Sequence, residues 1–333
     1  SRVGDVRVSS RTSSFAYKGK KLNVRNIAGR LQVAYLLEGS VRRSDDRIRI
    51  TAQLIQAATD SHIWSDSYDR RPGDIFAVQD DIASKIAAAL QVRLSPRALR
   101  DVTTSDPQAY DFFLRGRDYY RRGGLTDMAH AVTMYTRATE IDPGFTRAWI
   151  DLAFTYAQQV IYYEGGEAEQ ADACEAAERA VELAPASAES RTALGVAHLA
   201  GERYAEAKKE LDKAINLDPS LWDSLYWHAR VAVHEGEIPT AIDYFERAAA
   251  VNPDDFESPA LAAGLAKGLV DEATQRRLAR QAVERVERHV EDHPDNSRAF
   301  YLGAGAQLTL GRQKRARAWA RRALEVDPND PAI

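Results

Sequence analysis

Two periodicities divide the chain. Up to about residue 70, β-branched residues alternate with polar ones: Arg47 and Arg49 fall between Ile48 and Ile50, so one strand carries a basic face and an apolar face. This pattern predicts strands at 5–10, 34–44, 46–59 and 61–70, the two long ones joined at Asp45-Asp46, with a helix over 22–31. From Asp74 to Leu94 the period becomes helical, with Ile75, Val78, Ile82, Ile86 and Leu90 on one face. Beyond residue 107 the helical period persists to the end, broken only at prolines.

Those prolines are regular. They stand at 143, 185, 219, 253, 294 and 328, at spacings of 42, 34, 34, 41 and 34. Each follows an alanine-rich segment and starts a new one, a boundary position where its missing N–H costs little. Counting 12 and 5 residues back from each proline gives Ala131 and Ala138, Ala173 and Ala180, Ala207 and Ala214, Ala241 and Ala248, Ala282 and His289, Ala316 and Ala323. Small residues at fixed helical positions predict helices in close approach. Eight residues back, Tyr135, Ala177, Leu211, Phe245, Val286 and Ala320 predict a ridge packed on the preceding helix. Earlier in the units, Trp149, Leu152 and Tyr156, then Leu194 and Gly195, complete the set.

These residues resemble the tetratricopeptide repeat, whose order of a large residue, Leu-Gly, an aromatic, Ala, an aromatic, Ala and Pro they follow. Six units are expected, at about 107–143, 144–185, 186–219, 220–253, 254–294 and 295–328. RRGGL at 121–125 is expected to lengthen the first turn, and extra turns are expected around Tyr162–Gly166 and Leu265–Thr274. Stacked helix pairs bury a continuous core and present an extended concave face.

In the first hundred residues, the strings RTSSFAYKGK, YLLEGSVRRSDDRIRITAQLIQAATDSHIWSDSYDR and DIFAVQDDIA resemble the TolB amino-terminal-like domain. Members of that family usually begin with a further strand and helix before the position of Arg2. The expected organisation is a small α+β domain over 1–94, a linker over 95–106 and an α-solenoid over 107–333, a mostly α fold.

Charge sharpens the division. Residues 1–100 hold 18 Lys+Arg against 10 Asp+Glu, and the remainder 27 against 39, so a basic first part precedes an acidic solenoid. An acidic surface argues against nucleic-acid binding there. The lone Cys174 cannot form an internal disulfide. That fits a reducing compartment, and the bacterial cytoplasm is favoured slightly over the periplasm. No apolar run approaches the roughly 20 residues of a membrane span.

The sequence shows no catalytic constellation, cofactor motif or metal set. GAGA at 303–306 lacks the trailing glycine and preceding strand of a phosphate loop, and packing explains it. His289 and His293 stand four apart without an evident third ligand, so an interior His289 and a solvated His293 are expected. His228 is expected in the core and His234 on the concave face. The basic run at 311–322 reads as a solvated helix face, with Ala316, Ala320 and Ala323 turned to the packing side. Asp142, Asp218 and Asp327, each before a proline, read as turn residues.

The resemblance implies that the first helix of each unit lines the groove. The corresponding positions are Phe113, Arg117 and Tyr120; Arg147, Ile150, Phe154 and Gln158; Glu189 and Thr192; Asp223, Tyr226, Arg230 and His234; and Arg298 and Tyr301. Aromatics mixed with arginines suit binding hot spots. The Lys and Asn with which chaperone-binding relatives clamp a carboxylate are replaced by Thr192 and Val196. The expected partner is a protein or peptide, with self-association an open alternative. The expected role is a non-catalytic binding or sensory segment of a bacterial signalling regulator. Two alternatives stand beside it: the regulatory part of a class III adenylate or guanylate cyclase whose catalytic domain lies outside this chain, and a periplasmic envelope scaffold.

Overall fold

A computed structural model describes residues 2–3, 6–7, 14, 17, 23–31, 33–44, 47–70, 78, 81–82, 85–86, 89–90, 104–163, 165–269 and 271–327. The chain divides into two compact units, Ser1–Asp111 and Phe112–Ile333.

In the first unit, β1 (Arg2–Val3) pairs with β2 (Val6–Arg7), and α1 (Val24–Leu31) precedes a three-stranded antiparallel sheet of β3 (Tyr35–Ser44), β4 (Arg47–Gln56) and β5 (Ser61–Arg70), in that order. The strand expected over 5–10 is confined to Val6–Arg7 among the described residues. The alternation decides what β4 buries. Ala52 and Leu54 are buried on the apolar face, whereas Arg47 and Arg49 are exposed and both bind Asp69 of β5, at 2.6 and 2.9 Å. A register shift between Leu54 and Ile55 also brings Ile55 into the core, at 3% exposure. Of the helix expected over 74–94, Val78, Asp81, Ile82, Lys85, Ile86 and Ala89 are helical, and Lys85 pairs with Asp66 of β5 at 2.6 Å. The rest of that helix except Leu90, the Asp45-Asp46 turn and linker residues 95–103 lie outside the described residues.

The second unit is a series of helix pairs: α2 (Pro107–Arg122) with α3 (Leu125–Ile141), α4 (Thr146–Tyr162) with α5 (Glu167–Leu183), α6 (Ala188–Ala200) with α7 (Tyr204–Leu217), α8 (Trp222–His234) with α9 (Ile238–Val251), α10 (Glu257–Leu265) with α11 (Glu272–Asp292), and α12 (Ser297–Thr309) with α13 (Gln313–Val326). The pairs that end a 34-residue spacing share one design, a 13-residue helix and a 14-residue helix. Their internal turns place a left-handed residue 17 positions before the proline: Glu202, Gly236 and Gly311, with φ of 56°, 75° and 74°. Glycine takes that conformation without steric cost, and Glu202 takes it at a cost.

All eleven repeat alanines are buried at 8% exposure or less. They permit the close approach that the spacing predicts. The ridge holds for Tyr135, Ala177, Leu211, Phe245 and Val286, all fully buried, but Ala320 is exposed. Trp319 does the packing in α13, because its ring lies directly over Gly303 of α12. At the repeat boundaries Asp142, Asp218 and Asn252 each accept the N–H two residues on, at 2.9 to 3.1 Å. This is the local bonding that makes Asx residues turn formers.

The insertions fall only partly as expected. RRGGL gives a short turn, since α2 continues to Arg122 and only Gly123 and Gly124, at φ 73° and 81°, separate it from α3. In the second pair both helices grow to 17 residues, which carries Tyr162 beyond the usual helix end. In the fifth pair the connection from Leu265 to Glu272 is longer than in the regular pairs, as expected, and further length goes to α11, which has 21 residues, while α10 has nine. Asp255 starts α10 by accepting the N–H groups of Glu257 and Ser258, at 2.9 and 3.0 Å.

His228 is in the core, at 2% exposure, stacked on Tyr244 at 3.8 Å and donating from Nε2 to Asp212 at 3.1 Å; its Nδ1 has no hydrogen-bond partner. Burial holds its pKa below the ordinary 6.5, against the pull of Asp212. Protons therefore bind the unfolded state more readily, and the stability present above about pH 6.5 is lost as pH falls through the folded-state value. In urea titrations the midpoint should drop between pH 7 and 5, and His228→Gln should flatten that slope. An unchanged slope would locate the pH dependence elsewhere.

Candidate binding groove

The cluster with the densest chemistry lies where α8, α10 and α12 meet the end of α4. Tyr226 and Arg230 sit one turn apart on α8. Tyr226 is buried at 3% exposure, stacked on Trp222 at 4.8 Å and edge-on to Trp227 and Phe245 at 5.4 and 5.7 Å. Its hydroxyl donates to Glu257 Oε2 at 3.0 Å, and Arg298 reaches the same oxygen through Nε and Nη2, each at 3.0 Å. Arg230 Nη1 donates to the hydroxyls of Tyr162, at 2.7 Å, and Tyr226, at 3.3 Å. The guanidinium groups of Arg230 and Arg298 both stand 5.6 Å from the Tyr162 ring centre.

Burial pushes the Tyr226 hydroxyl pKa well up, with Glu257 adding to it. For Arg298, burial works against the charge but Glu257 and the tyrosines outweigh it, so its pKa rises. For Arg230 the tyrosines likewise outweigh burial. The cluster therefore keeps a neutral Tyr226 and charged arginines across the ordinary pH range. Beside it opens a cavity of about 330 Å³ with Val233, Phe245, Leu261, Leu265 and Leu302 in its walls and Tyr162, Arg230, Arg298 and Tyr301 at its polar side.

The other expected positions are distributed as follows. Arg117 and Arg147 converge on Asp151, at 3.9 and 3.1 Å, and Gln158 donates to the Tyr120 hydroxyl. Burial, with Asp151 adding to it, raises the Tyr120 pKa. Phe113 and Ile150 are each 4% exposed; the Phe113 ring packs on Phe145 and Tyr135. Phe154 and Glu189 are half-buried, and Thr192 is buried with its hydroxyl on the Ala188 carbonyl at 2.7 Å. Asp223 is half-buried, and desolvation raises its pKa against the pull of Arg147. His234 is exposed and stacked on Tyr204 at 5.3 Å, and Tyr301 is 40% exposed. The structure thus gathers Arg230, Arg298 and Tyr301 around one cavity, sets the buried Tyr226 behind it, and leaves Phe113 and Ile150 in the core.

Sequence reasoning passed over Tyr162, Glu257, Leu261 and Leu265. The 42-residue spacing was the available clue for Tyr162, because the added helical turns bring it to face Arg230. Among the described residues there is no group of three or more His, Cys, Asp or Glu able to hold a metal ion, and no helix long and apolar enough to cross a membrane. His289 rests on Phe256 at 4.6 Å and lies 3.0 Å from Asn296 Nδ2. In the basic run, Arg315 and Arg322 pair with Glu287 and Glu325, Ala316 and Ala323 are buried, and Ala320 is exposed with the charges.

Residues 171–221, 192–256 and 267–331 match the tetratricopeptide repeat family. A Rhizobium meliloti (strain 1021) protein provisionally named adenylate cyclase 3 is 42% identical over 158 residues, 46% of this chain and 27% of that relative. The chain thus spans about a quarter of the relative it matches. Among solved structures, PilW, a type IV pilus biogenesis factor, aligns over 67% of this chain and 96% of its own, with 19% identity and a TM-score of 0.48. A human IFIT1 dimer with m7Gppp-AAAA aligns over 74% and 55%, with 14% identity and a TM-score of 0.49. The chain carries tetratricopeptide repeats, and the described residues from Pro107 to Val326 build the helix pairs expected of them.

Proposed function

We propose that the solenoid holds a protein or peptide in the groove formed by the first helices of its pairs, with Tyr162, Arg230, Arg298 and Tyr301 as the principal contacts. The observation that carries this reading is the conjunction of an apolar cavity with half-buried, pre-oriented arginines. Interfaces draw much of their energy from a few such aromatic and arginine anchors, which the partner desolvates on binding. Arg117, Tyr120, Arg147, Phe154, Gln158 and His234 extend the surface, and the partner-facing role of Phe113, Ile150 and Tyr226 is to fix the shape of the wall.

The wider role is that of the binding or sensory segment of a bacterial signalling regulator. A regulatory segment of a nucleotide cyclase is the second reading. The named Rhizobium relative supports it, since nearly three quarters of that protein lies outside the match. The three-stranded sheet supports the TolB amino-terminal likeness of the first unit.

A partner located by cross-linking mass spectrometry, then purified, tests the groove. Replacing Arg298 and Tyr301 together by alanine should weaken its binding by roughly thirtyfold, a loss of about 2 kcal/mol. Replacing the exposed Arg317 and Arg321 of α13 should leave it unchanged. Equal losses in both pairs, with the thermal melts intact, would refute the groove as the binding face.

A further inference from the structure

We infer that the cavity between α8, α10 and α12 selects an acidic side chain within two residues of a large aliphatic one in the partner's chain, with Arg230 meeting the acid. The inference rests on the groove being the binding face and adds what it reads there.

The charges around the cavity do not balance. Arg230 and Arg298 bring two guanidinium groups, and Glu257 brings one carboxylate, which Arg298 already engages with two bonds to Oε2. Arg230 donates to two neutral hydroxyls, and among the described residues no carboxylate lies within ion-pair range of it. A half-buried cation without a counter-ion is under-compensated, and an incoming carboxylate supplies the missing charge. The bonds to Tyr162 and Tyr226 occupy Nη1 and hold the planar fork in place, so the guanidinium is oriented before a ligand arrives.

Next to this cation the walls are apolar: Val233, Phe245, Leu261, Leu265 and Leu302 enclose about 330 Å³, at the lower end of small-ligand pockets and ample for one large aliphatic side chain. In an extended peptide, residues two apart face the same side, so an acid and an aliphatic residue at that spacing reach Arg230 and the cavity together. A basic or purely polar segment would leave Arg230 uncompensated and the cavity unfilled.

The test is selection from a displayed library of randomised short peptides against the whole chain, followed by fluorescence anisotropy with one selected peptide. The expected consensus places Glu or Asp within two residues of Leu, Ile, Val or Met. Changing that acid to its amide should cost roughly tenfold or more against the parent chain and little against Arg230→Gln, as a charge-assisted pair requires. Glu257→Gln, which frees Arg298, should tighten the acidic peptide and provides a second reading that does not depend on the Arg230 variant folding. A consensus without an acid, an acid preference that survives in Arg230→Gln, an acidic peptide no tighter on Glu257→Gln, or a preference only for a free C-terminus would overturn the inference. Selection of apolar peptides alone would overturn it while sparing the groove, and enrichment of nothing would overturn both.

Discussion

Phe245→Ala is expected to lower the stability of the repeat unit by about 3–5 kcal/mol, the cost of deleting a fully buried aromatic ring and leaving a void. Phe245 has no exposed surface, meets Tyr226 edge-on at 5.7 Å, and forms part of the wall of the groove cavity. Its removal joins the vacated volume to a cavity that is already present, so collapse of the surroundings cannot readily refill it. At roughly 2–4 °C per kcal/mol for a unit of this size, the melting temperature should fall by roughly 6–20 °C, read by far-UV circular dichroism. Leu308→Ala is the control, because Leu308 is 60% exposed, and its effect should stay within about 0.5 kcal/mol. A loss below about 1 kcal/mol at Phe245 would mean that the neighbouring helices close over the void and that the ridge does not organise the fourth pair.

The solenoid was legible because its physics is periodic. Proline and alanine recur at fixed offsets since every unit meets the same constraint, a close crossing followed by a capped boundary. Two contacts depart from the repeat: His289, where an alanine is expected, packs on Phe256, and Trp319 takes the place assigned to Ala320. Each is a substitution of one way of filling space for another, which spacing alone cannot rank. The insertions were visible as the spacings of 42 and 41, but their placement was not. Whether extra residues lengthen a turn or a helix depends on tertiary packing: α11 extended while α10 shortened, and Gly123-Gly124 made a short turn of what looked like a long one.

The groove was legible in part, for a related reason. Positional rules describe a regular repeat, so they single out Arg230, Arg298 and Tyr301, which stand in regular pairs and line the cavity. They could not find Tyr162, which enters from an extended helix two pairs before α8, or Glu257, Leu261 and Leu265, which sit on the irregular α10. Nor does a positional rule separate a groove residue from a wall residue. The rule assigns Tyr226 to the groove, yet Trp222, Trp227 and Phe245 enclose its ring and leave only its hydroxyl a polar task.

Gly195→Ala should destabilise the third pair by about 1–3 kcal/mol, the cost of overpacking, although alanine is the better helix former by about 0.8–1 kcal/mol. A Cβ built at Gly195 lies 2.7 Å from Leu211 Cγ and 3.2 Å from the Ala207 carbonyl oxygen. Leu211 is fully buried and Ala207 contributes backbone, so neither neighbour can yield cheaply. A Cβ built at Gly116 would lie 2.6 Å from the Tyr135 ring, which makes the missing side chain a recurrent condition of the helix crossing rather than an accident of one pair. A double-mutant cycle separates overpacking from any other defect. Leu211→Ala alone should cost about 2–5 kcal/mol, and combined with Gly195→Ala the loss should be smaller than the sum, because the new methyl occupies space that the leucine vacates. Gly305→Ala, where a Cβ meets nothing within 4 Å, should raise stability and so report helix propensity free of packing. Strict additivity of Gly195→Ala and Leu211→Ala in urea denaturation would show that the crossing distance is set elsewhere than at this contact.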